Sequence, residues 1–186
     1  MLRFFRTPGL APSRVEAIIE IASGVATQPV GSIATEYCYY VETEAAPTGP
    51  ELDILRYLLC ETFEPDKFGS ESFLDGSGGG TVAAGHGAGS GSRFASVIEY
   101  GPRLNFETAW SSAAVEICRR SGVAAVRRLE RSVRVGLSAA TDAERAEELV
   151  DALRDRMTDM RYREPLTSFE TGLVPKLVEV IPLASL

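Results

Sequence analysis

Apolar side chains recur along this sequence with two different periods, and the switches between them outline a series of strands and helices. Leu2 to Arg6 read as a strand that Pro8-Gly9 ends. Ser13 and Glu16 then make a Ser-x-x-Glu cap. Val15, Ile18, Ile19 and Ala22 give the helix behind it one apolar stripe, with Gly24 able to stop it. From Ile33 to Val41 the period falls to two: Ile33, Thr35, Tyr37, Tyr39 and Val41 share one face, and Ala34, Glu36, Cys38 and Tyr40 the other. Aromatic residues in such a strand are expected to cover a core. After the breakers of Pro47 to Pro50, Thr48 and Glu51 repeat the cap. Leu52, Leu55, Tyr57, Leu58 and Leu59 then make a short helix apolar enough to be packed on two sides.

The second half repeats this order. Phe94, Ser96, Ile98 and Tyr100 alternate with Ala95, Val97 and Glu99 until Gly101-Pro102 break the strand. A polar loop leads into a helix whose Ala114, Ile117 and Cys118 have the spacing of a buried stripe, with Gly122 as its left-handed stop. The next strand sets Leu129, Arg131, Val133 and Val135 against Arg128, Glu130, Ser132 and Arg134. Thr141 and Glu144 form a third cap. Ala146, Leu149, Val150, Leu153, Met157 and Met160 then predict the longest helix of the chain. Two β-α-β-α runs, residues 1–67 and 93–163, predict an α+β fold of tandem ferredoxin-like sandwiches packed as a pseudo-dimer. Residues 164–186, punctuated by Pro165, Pro175 and Pro182, read as a linker or strap that needs another surface to lie on.

Between the halves, residues 68–92 hold nine of the 17 glycines, which favours a flexible glycine-rich loop. No GxGxxG or GxxxxGK[ST] phosphate cradle is present there. His86, the sole histidine, sits in this loop on the least rigid support available and is assigned no role.

Composition and charge narrow the function. With 186 residues and 45% apolar content the chain can bury a sizeable core. Nineteen basic against 26 acidic side chains give a net charge of -7, which excludes nucleic acid as an expected partner. Arg119, Arg120, Arg127, Arg128, Arg131 and Arg134 are expected to meet carboxylates or to rim an anionic site. Cys38, Cys60 and Cys118 form no CxxC pair and read as small buried hydrophobes of a reducing, cytoplasmic protein. No apolar run approaches the ~20 residues that span a bilayer, so no membrane partner is expected.

The candidate chemistry lies in the loop from Arg103 to Ser112, outside the carboxyl end of a strand, where α/β units commonly place sites. Arg103 offers a bidentate fork, Asn105 an amide and Trp110 a large apolar face, while Ser111 and Ser112 can cap the helix that follows. Arg128 of the next strand completes this candidate set. No nucleophile–base pair can be assembled, so no catalytic residue and no metal or cofactor ligand is assigned.

GPRLNFETAWSSAAVEIC with the following SGVAAVRRLER resembles the N-terminal region of the large single-chain phosphoribosylformylglycinamidine synthases. TEYCYYV at 35–41, LRDRMTD at 153–159 and PLTSF at 165–169 are similar too, in the family's order. The resemblance implies a reaction in which glutamine supplies ammonia and ATP activates formylglycinamide ribonucleotide, giving the amidine, glutamate, ADP and phosphate. It implies that residues 1–163 couple the synthetase and glutaminase domains and support ammonia transfer, with ATP and magnesium bound elsewhere in the full enzyme. The piece alone is then expected to be inactive. Where many members have an SPWSSKA-like segment this chain has TAWSSAA, so Ala113 stands where a lysine could meet an anion. The alternative is a freestanding regulatory domain that binds a small molecule, which would show as a ligand raising its melting temperature.

Overall fold

The computed structural model describes residues 1–25, 32–60, 64–75, 94–138 and 140–172. In order these form β1 (Leu2–Arg6), α1 (Pro12–Val25), β2 (Ile33–Thr43), α2 (Gly49–Leu59), a 3-10 turn (Pro65–Lys67) and β3 (Phe68–Gly69). The second half contributes β4 (Ser96–Pro102), α3 (Ala109–Arg120), β5 (Val126–Leu137), α4 (Ala143–Leu153) and β6 (Asp159–Tyr162). The strands make one antiparallel sheet in the order β3-β1-β2-β5-β4-β6, so the fold is α+β. The order reads alike from either edge once β1 to β3 are matched with β4 to β6. Its centre is the β2–β5 ladder, from Ile33 opposite Leu137 to Thr43 opposite Val126.

Within each half, the strands joined by a helix are direct antiparallel neighbours: β1 lies on β2, and β4 on β5. A ferredoxin-like half needs a split β-α-β unit, with room for another strand between the pair. The halves therefore depart from that expectation and join edge to edge in one sheet.

Alternation along β5 puts Leu129, Val135 and Leu137 on one face, and the helices cover it. Ile18 and Ala22 of α1 bury against Leu149 and Val150 of α4, above Ile98 of β4 and Val135 of β5. Leu55 of α2 and Cys118 of α3 share a second core with Phe4, Tyr39, Val41 and Leu129. Each helix pair thus combines one helix from either half. The opposite face buries Phe5, Cys38 and Tyr40 without helices, under Phe73, Leu104, Tyr162, Leu166 and Phe169. Because β2 is covered on both faces, apolar residues stand on both of its sides.

Several local expectations change in the structure. Residues 68–75, counted by composition with the loop, are held on the sheet. Phe68 and Gly69 pair with Arg6 and Phe5, and Leu74 is buried. The rest of the glycine-rich stretch and His86 lie outside the described residues. Gly101 and Pro102 continue β4 instead of breaking it, opposite Met160 and Asp159. A Cβ at Gly101 would come within 2.9 Å of the Ser132 side chain, so glycine lets two strands approach there. Gly122 ends α3 at φ 94°, as its position suggests, whereas α1 runs past Gly24 to Val25.

Helix α4 stops at Leu153 and is shorter than the 14-residue α1. Beyond it Asp155 and Asp159 bind the turn: Met157 N–H donates to Asp155 Oδ1 at 2.7 Å and Asp155 N–H to Asp159 Oδ2 at 3.2 Å. Short acidic side chains that satisfy the backbone this way compete with the helix. Met157 is accordingly 83% exposed, and Met160 belongs to β6. The cap of α4 is Asp142, one residue after the expected Thr141, accepting from Arg145 N–H at 2.9 Å. Leu166 and Phe169 lie on the helix-free face; residues 173–186 are outside the described set. No described helix is long and apolar enough to cross a membrane.

Candidate functional site: a pinned loop beside a buried charge cluster

The loop between β4 and α3 is fastened from beneath by Arg128 and Glu130, two residues on the helix-free side of β5. Glu130, 1% exposed, accepts from Thr108 twice, at 3.2 Å from its N–H and 2.7 Å from its hydroxyl. The Thr108 hydroxyl in turn accepts from Ser111 N–H at 3.0 Å. Thr108 is therefore the N-cap of α3, a role the sequence reading gave to Ser111 and Ser112. The cap residue must hold extended backbone angles, and Thr108 has them at φ -72° and ψ 152°. Ser111 is fully buried one turn in, close to Glu107 at 3.3 Å and accepting from Leu129 N–H at 3.4 Å. Ser112 is exposed and lies 3.1 Å from the Glu107 carboxylate.

Arg128 ties the loop to the strand. Its Nε donates to Glu130 at 3.1 Å, one terminal nitrogen to Leu104 carbonyl at 3.2 Å, and the other to the carbonyl of Phe106. Its guanidinium also stacks 4.5 Å from the ring centre of Phe169 in the strap. Arg103 is fixed by main-chain and side-chain bonds to the carbonyls of Thr158 and Arg156, at 2.8 and 2.7 Å, so its fork is occupied within the chain. Its Nε is buried without a partner among the described residues. Asn105 is exposed and makes no hydrogen bond among them.

Trp110 is 37% exposed and stands on the helix face, 6.1 Å from Tyr39 and 5.4 Å from the Arg131 guanidinium. It is neither a plug between the halves nor a free side chain. Trp110→Ala is expected to cost the chain about 2–3 kcal/mol, from the partly buried indole, its aromatic pair and its cation–π contact. That is below the ~3–5 kcal/mol of a fully buried ring. Urea unfolding measures the difference, and a loss in the upper range would instead make Trp110 a plug between the two halves.

Four residues across the sheet from the loop form a cluster that sequence reasoning did not single out. Glu36, 0% exposed, pairs with Arg134 across the β2–β5 ladder and accepts from Ser72 hydroxyl and Phe73 N–H, both at 2.8 Å. Arg134 also meets both Asp75 oxygens at 3.0 Å and Glu99 at 3.4 Å. Glu99 accepts from Tyr40 hydroxyl at 2.9 Å and Ser132 hydroxyl at 2.6 Å. Burial pushes the carboxyls of Glu36 and Glu99 above the usual carboxylate range despite these donors. At Arg134 burial works against the charge, yet Glu36, Asp75 and Glu99 together hold its pKa up. The signal in the sequence was the double-sided burial of β2. A glutamate on a covered face has to find a cation, and Arg134 is its ladder partner.

Chemically, this arrangement holds the loop in place. Cys38 and Cys118 are buried, and burial pushes both thiols up, away from the reactive thiolate. Among the described residues no group of three or more His, Cys, Asp or Glu is placed to hold a metal ion. The arginine cluster is resolved as expected for most of its members: Arg119 and Arg120 pair with Glu116, Arg127 with Glu42, Arg128 with Glu130 and Arg134 with Glu36.

The described residues thus form a one-sheet α+β domain that fastens the β4–α3 loop at its surface. Residues 36–168 match the model of the formylglycinamide ribonucleotide amidotransferase N-terminal family, and the chain belongs to that family. It is 32% identical over 185 residues to a probable phosphoribosylformylglycinamidine synthase, chloroplastic/mitochondrial, of Arabidopsis thaliana, covering 98% of this chain and 12% of that protein. It is 31% identical over 186 residues to the phosphoribosylformylglycinamidine synthase of Dictyostelium discoideum, 97% of this chain and 13% of the relative. With the Homo sapiens enzyme of the same name the identity is 34% over 149 residues, 77% of this chain and 10% of the other. The chain spans about an eighth of the length of the first two relatives.

Proposed function

We propose that this chain acts as the N-terminal domain of a phosphoribosylformylglycinamidine synthase. That enzyme converts formylglycinamide ribonucleotide, glutamine and ATP to the amidine, glutamate, ADP and phosphate. In this reading residues 1–163 join the synthetase and glutaminase domains and support ammonia transfer between them. Residues 164–186 lead toward the synthetase domain. ATP and magnesium belong to those other parts. The two halves act as a pseudo-dimer, a reading supported by the mirrored strand order and by helix pairs that each take one helix from either half.

The observation that carries the joining role is the loop itself. Arg128 and Glu130 spend their hydrogen bonds on holding residues 104–108 in one shape, yet Asn105 at its tip bonds nothing among the described residues. A rigid support under an unused amide suits recognition of a neighbouring domain. Asn105→Ala tests it. In the complete enzyme, glutamate release is expected to outrun amidine formation severalfold, while the 186-residue chain keeps its urea midpoint. An unchanged glutamate-to-amidine ratio would sink the joining role for this loop.

A further inference from the structure

The two helix pairs differ in how tightly they close. Helices α1 and α4 touch along Ile18, Ala22, Leu149 and Val150. Between α2 and α3 a groove of about 230 Å³ stays open, lined by Leu58, Leu59, Trp110, Ala113, Ile117 and Leu129. Ile117, which its helical spacing assigns to a buried stripe, is 53% exposed on the wall of this groove.

One strand step from Leu129, on the same face of β5, stands Arg131. Its guanidinium lies 4.3 Å from the ring centre of Tyr37 and 5.4 Å from that of Trp110. The other arginines of β5 each have a carboxylate: Arg127 has Glu42 and Glu170, Arg128 has Glu130, and Arg134 has Glu36, Asp75 and Glu99. Among the described residues Arg131 has none. Nor does a free carboxylate of α3 compete for it, since Glu116 is held by Arg119 and Arg120 at 2.8 and 2.6 Å. A guanidinium held over aromatic rings leaves its N–H groups free for an incoming carboxylate. The groove is smaller than the ~300–1,000 Å³ of small-molecule pockets. It suits the one or two anchor side chains that a protein partner inserts.

We propose that this groove receives an apolar segment from another domain of the same enzyme, with a carboxylate of that segment meeting Arg131. The proposal rests on the joining role and supplies the chemistry of the partner: one or two aliphatic or aromatic anchors over Ile117 and Trp110, with an Asp or Glu alongside.

Hydrogen–deuterium exchange tests it, comparing peptides over residues 55–60 and 110–118 in the 186-residue chain and in the complete enzyme. Exchange there should slow at least tenfold in the complete enzyme. Ile117→Glu and Arg131→Gln should each reverse most of the slowing, Arg131→Lys should reverse part of it, and urea unfolding should show each variant chain fully folded in native buffer. Equal exchange in both contexts overturns the proposal, and so does slowing that survives Ile117→Glu or Arg131→Gln. Slowing that grows with concentration in the 186-residue chain alone would assign the groove to a second copy, again overturning it. Failure of the joining role itself shows separately, in the product ratio of Asn105→Ala, a residue outside the groove.

Discussion

Arg134→Met is expected to destabilise the chain by about 3–5 kcal/mol, because it leaves two buried carboxylates without their cation. Glu36 and Glu99 both lose the guanidinium, and Asp75 loses its hold on the sheet. Hydrogen bonds from Tyr40, Ser72, Phe73 and Ser132 remain, which keeps the loss within that range. The pH dependence identifies the cause. Burial raises the folded-state pKa of both glutamates above 4.5. A group raised in this way contributes its stability below the unfolded value, and the contribution fades as pH climbs through the folded value. Without Arg134 the two values should rise further. The deficit of the variant is therefore greatest near neutrality and shrinks as pH falls toward 4.5. Urea unfolding across that window measures it, and a deficit that does not change with pH would contradict the charge argument. Adding Glu36→Gln to Arg134→Met should recover part of the loss, since one buried charge goes with the other.

The second large effect belongs to Glu130. Glu130→Ala removes the acceptor for both Thr108 donors and strands Arg128, at a cost of about 3 kcal/mol. The loss should also travel. Thr108 caps α3, and Trp110 sits in the first turn of that helix, so loosening the cap frees the indole. Trp110 is the sole tryptophan, so emission reports this position alone. A red-shifted spectrum in native buffer, before any unfolding, is the expected result. Glu130→Gln keeps an acceptor and loses the charge, and it should fall between the parent and the alanine variant. Native emission identical to the parent's in Glu130→Ala would show that the loop is held by something else.

What the sequence disclosed follows from which physics is local. Alternation placed Tyr39 and Val41, and Leu129 and Val135, on the correct faces because strand period depends on the chain alone. Cap identity depends on backbone angles set by the neighbouring strand. Thr108 was therefore passed over for Ser111 and Ser112, although it stands three residues ahead of a buried serine. The helical spacing of Met157 and Met160 continued through a turn that Asp155 and Asp159 impose, and the spacing of Ile117 did not show that its neighbour helix stands off. Arg103 and Trp110 drew notice as polar and aromatic residues beyond a strand end, yet the spacing did not show that the Arg156 carbonyl takes the Arg103 fork or that Trp110 lies in the first turn of α3. Glu36, Glu99 and Glu130 were not legible, because their partners lie across a sheet whose strand order alternation does not encode. Arg134 sits 98 residues from Glu36.

Each hydrophobic core mixes residues of both halves, which ties the halves together. Helix α1 of the first half packs beside α4 into a core that also holds Ile98 and Val135 of the second, and α3, lying on its own β5, shares a core with Phe4, Tyr39 and Val41 of the first. Each half, taken alone, would expose apolar surface that the other covers. Substitutions at Ile18 and at Leu129 are therefore expected to lower one and the same cooperative unfolding transition.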